Sequence, residues 1–311
     1  MNDNRALTLQ SSSESAVRPL AAIVLVLGLL QEPAGKTRVA QRLVQELAEV
    51  GFKALHVKPA ALLDAYRDWL HLREYGLVAR EAVSARELLG AREPAELLNP
   101  VAMLTVPVSA KAFYDYGVPR SFFVYQADEA RRLVAVRLAS PDARGVRSFA
   151  LVNPVLLERG LSLVGREEVL GLLKRVEALE EVRDRAQMLS RANALAANAI
   201  ERCLEHLSER YRVLVVEGYS DGAWPLGSLE ARPAAVLAVA PGQVVAYDPG
   251  KFVAVVSASA GVKDSVRLED VAGLIHPEAY FRLPPPELGV GETRGGGADV
   301  VVNYVLAKLE L

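Results

Sequence analysis

Apolar and polar positions along this chain follow two periods, and the switch between them marks its first elements. Ala21 to Leu27 is an unbroken apolar, β-branched run, which predicts a strand buried on both faces. From Val39 the apolar residues recur at helical steps (Val39, Leu43, Val44, Leu47), which predicts an amphipathic helix stopped near Gly51. Phe52 to Val57 then reads as a second strand. Much later Tyr211 to Val216 is another continuous apolar strand, running into Glu217-Gly218. Ala235–Ala240, Val244–Tyr247 and Phe252–Ser257 read as three more.

Between these strands the pattern is mixed. Ala61 to Glu74 and Glu81 to Leu89 carry helical periodicity, and Asn99-Pro100 and Val106-Pro107 break the chain. Phe122–Gln126 and Leu133–Leu138 flank Asp128-Glu129 as a predicted hairpin, with Phe149–Val152 as a third strand. From about Arg166 to Arg210 there is no proline, and after Gly171 no glycine. Apolar residues there recur every three or four positions, which predicts one long amphipathic helix or two end to end. Asp299 to Leu309 closes the chain as a helix.

The alternation of strands and helices predicts an α/β fold with three layers and a mostly parallel central sheet. A small antiparallel insertion is expected at about 100–165 and a helical segment at about 166–210. Residues 1–18 are polar and Ser-rich, with Ser11-Ser12-Ser13, and are expected to be disordered, leaving 19–311 as one domain. Leu283 to Gly289 reads as a rigid, proline-rich connector and Gly291 to Gly297 as a flexible one.

Composition narrows the class of function. With 311 residues, 51% hydrophobic and 24% charged, the chain has ample material for a core. A net charge of −2 argues against a nucleic-acid or anionic-membrane partner. One cysteine, Cys203, excludes an internal disulfide framework and a cysteine-clustered metal site. It falls on the apolar face of the predicted long helix, where a core thiol is expected. His56, His71, His206 and His276 show no zinc-site spacing. The first apolar run is too short to span a bilayer, and no small-residue cleavage site follows it, so a cytoplasmic protein is expected.

The candidate chemistry lies between the first strand and the first helix. Gly28-Leu29-Leu30-Gln31-Glu32-Pro33-Ala34-Gly35-Lys36-Thr37 places a Gly-Lys-Thr where a phosphate-binding loop needs it. Backbone N–H groups from Gly28, Gln31, Ala34, Gly35, Lys36, Thr37 and Arg38 would surround an anion at the helix N-terminus. Lys36 would reach the β/γ-phosphates, and the Thr37 hydroxyl would ligate Mg²⁺. The first glycine of the usual consensus falls on Leu30, so the nearest glycine, Gly28, sits two residues early. Lys58 leaves the carboxyl end of the second strand and Glu217 that of a later one, the edge at which open parallel sheets bind ligands. Tyr219, Ser220 and Asp221 follow on a loop within reach. Gly261-Val262-Lys263-Asp264 is a further loop, expected to be solvated, with contact to a base as the alternative reading.

With these residues placed, the chain resembles the dethiobiotin-synthetase-like P-loop fold. Its opening loop is similar to that of an uncharacterised archaeal family of predicted P-loop ATPases/GTPases. The resemblance covers about residues 19–60 and 210–290. It implies that Lys36 and Thr37 serve the triphosphate and Mg²⁺, that Lys58 faces the acceptor or the γ-phosphate, and that Glu217 ligates or orients the metal. A further metal-side acid is implied after the second strand, for which Asp64 and Asp68 are the candidates. Leu30 to Pro33 replace the Thr-Asp-Thr stretch of the synthetases, which points away from a biotin-precursor substrate. The loop-start lysine and cluster cysteines of the membrane-partitioning and iron–sulfur relatives are absent.

Two functions are compatible with these residues, and Leu30, Glu32 and Pro33 leave a third reading, a degenerate loop that no longer binds nucleotide. One is an ATP-dependent hydrolase or ligase that phosphorylates a small carboxylate or carbamate beside Lys58. The other is a nucleotide-dependent switch or binding module with slow hydrolysis. No Asn-Lys-x-Asp base-reading motif occurs, which favours ATP over GTP. Mg²⁺ and ATP are the expected cofactors, a small molecule the expected partner, and a homodimer is compatible with the long helix.

Overall fold

The structure is a computed structural model that describes residues 21–31, 34–143, 145–228, 231–263, 265–283 and 298–309. The expected disordered tail, Glu32, Pro33, Asp264 and both connectors from Pro284 to Gly297 lie outside the described residues.

Strand β1 (Ala22–Gly28) leads into helix α1 (Lys36–Glu49) and strand β2 (Ala54–Val57). Only Lys58 and Pro59 separate β2 from β3 (Ala60–Asp64), which belongs to a different sheet. Helices α2 (Trp69–Tyr75), α3 (Arg80–Leu89) and α4 (Ala95–Leu98) precede β4 (Val101–Thr105). Helices α5 (Ala110–Asp115), α6 (Pro119–Ala127) and α7 (Glu129–Arg132) lead to the hairpin of β5 (Leu133–Asp142) and β6 (Gly145–Val152). After α8 (Val155–Glu158) and α9 (Arg166–Leu172), β7 (Ala178–Glu181) and α10 (Arg185–Ser208) return the chain to the first sheet. That sheet is completed by β8 (Val213–Glu217), β9 (Ala235–Ala240), β10 (Gln243–Tyr247) and β11 (Ala279–Arg282). Helices α11 (Pro249–Ala260) and α12 (Leu268–Ala272) lie between the last two strands, and α13 (Ala298–Leu309) follows them.

Both sheets are mixed. The first has the order β2-β8-β1-β9-β10-β11, with β2, β8, β1 and β9 parallel and β10 antiparallel to both its neighbours. The second has the order β3-β4-β5-β6-β7, in which the outer pairs β3/β4 and β6/β7 are parallel and β5 runs against β4 and β6.

Strand alternation sorts the core of the first sheet into two faces. Val24 and Val26 of β1, with Val213 and Val215 of β8, meet α1 (Val39, Leu43, Val44, Leu47) and α13 (Val301, Val302, Val305). Leu25, Leu27, Leu214 and Val216 face the other way, into a continuous apolar cluster shared with α10, α11 and the second sheet. Helix α10 packs on both β5 and β8, so it joins the two sheets through Met188, Ile200, Cys203 and Leu207. Each buried Leu or Val on α1 contributes roughly 1.5–3 kcal/mol of transfer free energy. A side-chain cap at its N-terminus would contribute only about 1 kcal/mol. The apolar stripe therefore holds α1, and its first turn is left free of a cap.

The region between β2 and β8 departs most from the sequence reading. The antiparallel insertion expected at about 100–165 is a five-stranded mixed sheet whose strands run from Ala60 to Glu181. Ala60–Asp64 is a strand, not the start of a helix over Ala61–Glu74, because pairing with β4 overrides the helical preference of Ala-Ala-Leu-Leu. Phe122–Gln126 lies in α6, where Pro119 presets the first turn, so the hairpin forms from β5 and β6 instead. The helix expected over 166–210 is interrupted by β7, which pairs parallel with β6. Phe252–Ser257 belongs to α11 and is not a strand: Pro249 opens that helix and the Asp248 carboxylate caps the Lys251 N–H at 2.7 Å. No described helix is long and apolar enough to cross a membrane.

Candidate functional site

The parallel strands β1, β2 and β8 end along one edge, and alternation decides which side chains meet there. Val213, Val215 and Glu217 of β8 lie on the α1 side. His56 pairs in register with Val215, and Lys58 follows two residues later, so both share that side. Thr37, in the first turn of α1, completes the group.

Three side chains close on one carboxylate, that of Glu217. Oε1 of Glu217 accepts the Thr37 hydroxyl at 2.9 Å and the Lys58 ammonium at 2.5 Å. Oε2 lies 3.0 Å from Nε2 of His56. Glu217 and His56 are each only 1% exposed, so these partners, not bulk water, answer the charge. Burial by itself would raise the Glu217 carboxyl, but the His56 hydrogen bond and the Lys58 charge outweigh it and hold the group down at about 2. The carboxylate is therefore ionised and accepts only, so His56 presents its proton at Nε2. His56 Nδ1 is buried without a hydrogen-bond partner.

Lys58 also lies 3.4 Å from the Gly218 carbonyl and 3.8 Å from Oε1 of Glu81. Its backbone is pinned: its N–H donates to the Leu98 carbonyl at 2.8 Å, and its carbonyl accepts Nδ2 of the buried Asn99 at 2.9 Å. Asn99 Oδ1 accepts the Ala79 N–H, which ties the start of α3 to the same point.

Lys36 opens α1 behind Gly35, whose φ of +86 lies in the left-handed region that glycine adopts without strain. Its ammonium donates to the Ser220 carbonyl at 2.6 Å and crosses directly over Gly28. A Cβ at Gly28 would come within 2.7 Å of both Lys36 Nζ and the Ser220 oxygen, which explains a glycine at this early position. Ser220 holds φ 49, and no other described non-glycine residue has a positive φ. Burial lowers the Lys36 pKa and the neighbouring Lys58 charge lowers it further, with Glu217, Asp221 and Glu81 opposing in part. Gly35 has no side chain with which to cap α1, so among the described residues its first-turn N–H groups and its dipole are left for an anion.

These groups open onto a cleft of about 500 Å³. Gln31, Ala34, Gly35, Lys36 and Thr37 line it from the first sheet; Ala61, Leu62 and Leu63 of β3, with Arg67, Asp68, Ala79, Arg80 and Glu81, line it from the second. Lys58, Glu217, Tyr219 and Ser220 lie between, and Glu129 contributes from α7.

Most of the sequence candidates converge here. Gly28 stands directly behind the cleft against Lys36, while Arg38 is exposed and does not line it. Asp68 lines the cleft with Arg80 at 3.3 Å. Asp64 does not: its carboxylate accepts the Tyr66 and Arg67 N–H groups and pairs with Arg132 at 2.9 Å. Asp221 lies outside the lining, and neither Val262 nor Lys263 reaches it; Lys263 pairs with Asp270. Cys203 is a core thiol, fully buried on α10 and pushed up to about 12 by burial. Sequence reasoning missed His56 and Glu81. The signal for His56 was its place two residues before Lys58 in an extended strand, which forces both to one side; Glu81, at the start of a helix, offered none.

Among the described residues no cluster of three His, Cys, Asp or Glu side chains is placed to hold a metal. Thr37 Oγ1 and Glu217 Oε1 are hard oxygen donors of the kind Mg²⁺ uses when phosphates and waters complete its shell. They fit such an ion once Lys58 withdraws from Oε1 towards Glu81. Comparison of the chain with protein-family models, with curated proteins and with solved structures finds no match, so the functional reading rests on the geometry of this cleft.

Proposed function

We propose that the chain is a P-loop nucleoside-triphosphatase that binds Mg-ATP at the start of α1 and phosphorylates a small carboxylate or carbamate held beside Lys58. The observation that carries this reading is the convergence of Lys36, Thr37 and the uncapped first turn of α1 with the ionised, buried Glu217 on one edge of parallel strands. Lys36 would leave the Ser220 carbonyl for the phosphate, whose charge offsets the burial that disfavours its ammonium. Lys58, freed from Glu217, would stand between the phosphate end of the cleft and the wall supplied by β3, where an acceptor fits. Thr37 and Glu217 would hold Mg²⁺, which when bound neutralises the phosphate charge. Chemistry of this kind is positioning plus charge neutralisation, and two lysines at one point supply both.

A thermal-shift titration with Mg²⁺ and each nucleotide tests the reading. A ligand present at 100 times its dissociation constant adds about 2.7 kcal/mol of apparent stability, enough to raise the melting temperature visibly. ATP should do so in the native chain and fail to do so in Lys36→Ala. No shift with any nucleotide, or an equal shift in the variant, contradicts the proposal.

A second reading, the nucleotide-dependent switch, is favoured by Ser220. Its unusual backbone is held by the Lys36 ammonium, and the loop behind it is tied to α12 through Leu268 N–H to the Asp221 carbonyl at 2.8 Å. Hydrogen exchange across 219–223 and α12, with and without ATP, decides it; identical protection counts against a switch.

A further inference from the structure

His56 takes no part in the proposed chemistry, yet among the described residues it is the hydrogen-bond partner of Oε2 of Glu217, at 3.0 Å. It does not line the cleft and therefore touches no ligand. Its surroundings are those of a packing position: a central point on β2, opposite Val215, with 1% exposure. An apolar side chain would suit that position better, because the imidazole leaves Nδ1 buried and unmatched. What the ring supplies in exchange is one donor, Nε2–H, aimed at the carboxylate.

We infer that His56 is a positioning residue: it fixes the Glu217 carboxylate through Oε2 at 3.0 Å, so that Oε1 is turned towards Thr37 and the cleft for a phosphate-bound divalent cation. The inference rests on the nucleotide reading of the cleft. Lys58 holds Oε1 but cancels the charge and must withdraw for a cation to arrive. His56 holds Oε2 from behind the cleft and stays in place, so the carboxylate keeps its orientation. Partners of this kind behind a metal-binding side chain change metal affinity by about 10–100-fold when removed.

The test measures ATP affinity of the full chain by calorimetry in EDTA and in saturating Mg²⁺, and takes the ratio. His56→Phe retains bulk without a donor, His56→Asn carries an amide too short to reach Oε2, and His56→Gln places an amide N–H near the position of Nε2. Phe and Asn should each reduce the Mg²⁺ enhancement by ~10-fold or more while leaving the affinity in EDTA unchanged, and Gln should restore most of it. If the Phe variant does not fold, the Asn and Gln pair carries the comparison. A full Mg²⁺ enhancement in the Phe or Asn variant overturns the inference. So does an equal loss in EDTA, or a Gln variant no better than Asn. Absence of ATP binding by the native chain in either buffer overturns the nucleotide reading itself, before any variant is compared.

Discussion

Replacing Glu217 by glutamine removes one buried charge and leaves the side-chain volume unchanged. The folded-state carboxyl lies at about 2 against an ordinary 4.5. That gap corresponds to roughly 3 kcal/mol of preference for the ionised form in the folded chain. Because the folded value is the lower one, this stabilisation is complete above the ordinary carboxylate range and is lost as pH falls from about 4.5 towards 2. At pH 3.5 roughly 1 kcal/mol of it has gone. In the variant the whole contribution is absent at every pH. Lys58, 7% exposed, is then left among the described residues with Glu81 at 3.8 Å for a counter-charge, and an amide N–H₂ faces either Lys58 or His56, donor against donor. The expected loss at pH 7 is on the order of 3–5 kcal/mol, the usual result of breaking a buried pair from one side. Urea unfolding at pH 7 and at pH 3.5 gives both quantities. Asp64, Glu93, Asp270 and Glu278 are also held below their ordinary values, but they are common to both proteins and cancel in the difference. The native chain should lose roughly 1 kcal/mol more than the variant between the two pH values. Parallel losses would refute the charge-paired state of Glu217.

Three further outcomes are expected. Gly28→Ala forces a methyl group against Lys36 and Ser220 and should cost about 1–3 kcal/mol in urea unfolding, with loss of the ATP-induced thermal shift; an unchanged protein would contradict the close approach. Asn99→Ala leaves the Lys58 and Val101 carbonyls and the Ala79 N–H without their side-chain partner and should cost on the order of 3 kcal/mol. A loss under about 1 kcal/mol would mean that water replaces the amide. Cys203 should resist an aromatic disulfide reagent in the native chain and react fully in guanidinium, since its thiol is buried and pushed up to about 12; fast native labelling would show that α10 opens.

The residues that make the central strands also made them legible. Val24 to Leu27 and Val213 to Val216 are apolar on both faces because both faces are covered, and no helical stripe imitates that pattern. The loop and its lysines followed from where those strands end. The second sheet was hidden because its strands carry the wrong local preference. Ala60–Asp64 and Ala178–Glu181 are built from helix formers and become strands only through partners far along the chain. Two errors had readable signals. Asp184 stands three residues before Gln187 and caps its N–H at 2.8 Å, a helix start inside what looked like one helix. Asp248-Pro249 likewise announces α11, despite the β-branched Phe252–Ser257 that follows. The His56–Glu217 contact was not legible as chemistry, since only the register of β2 on β8 brings the two together.

The order in which this chain is synthesised does not match the order of its sheets. The second sheet is complete once Glu181 has been added, whereas β1 can pair with neither neighbour until Val213 and then Ala235 emerge. At ordinary translation rates the most apolar strand of the protein waits ~10–40 s without a partner. During that interval the inserted sheet is free to fold, and its host is not. Thr37 and Glu217, joined by a single hydrogen bond, are 180 positions apart, so any product truncated before β8 contains the loop and its lysines but no site. The cleft forms late, and an exposed β1 on a stalled chain is the segment for a chaperone to cover.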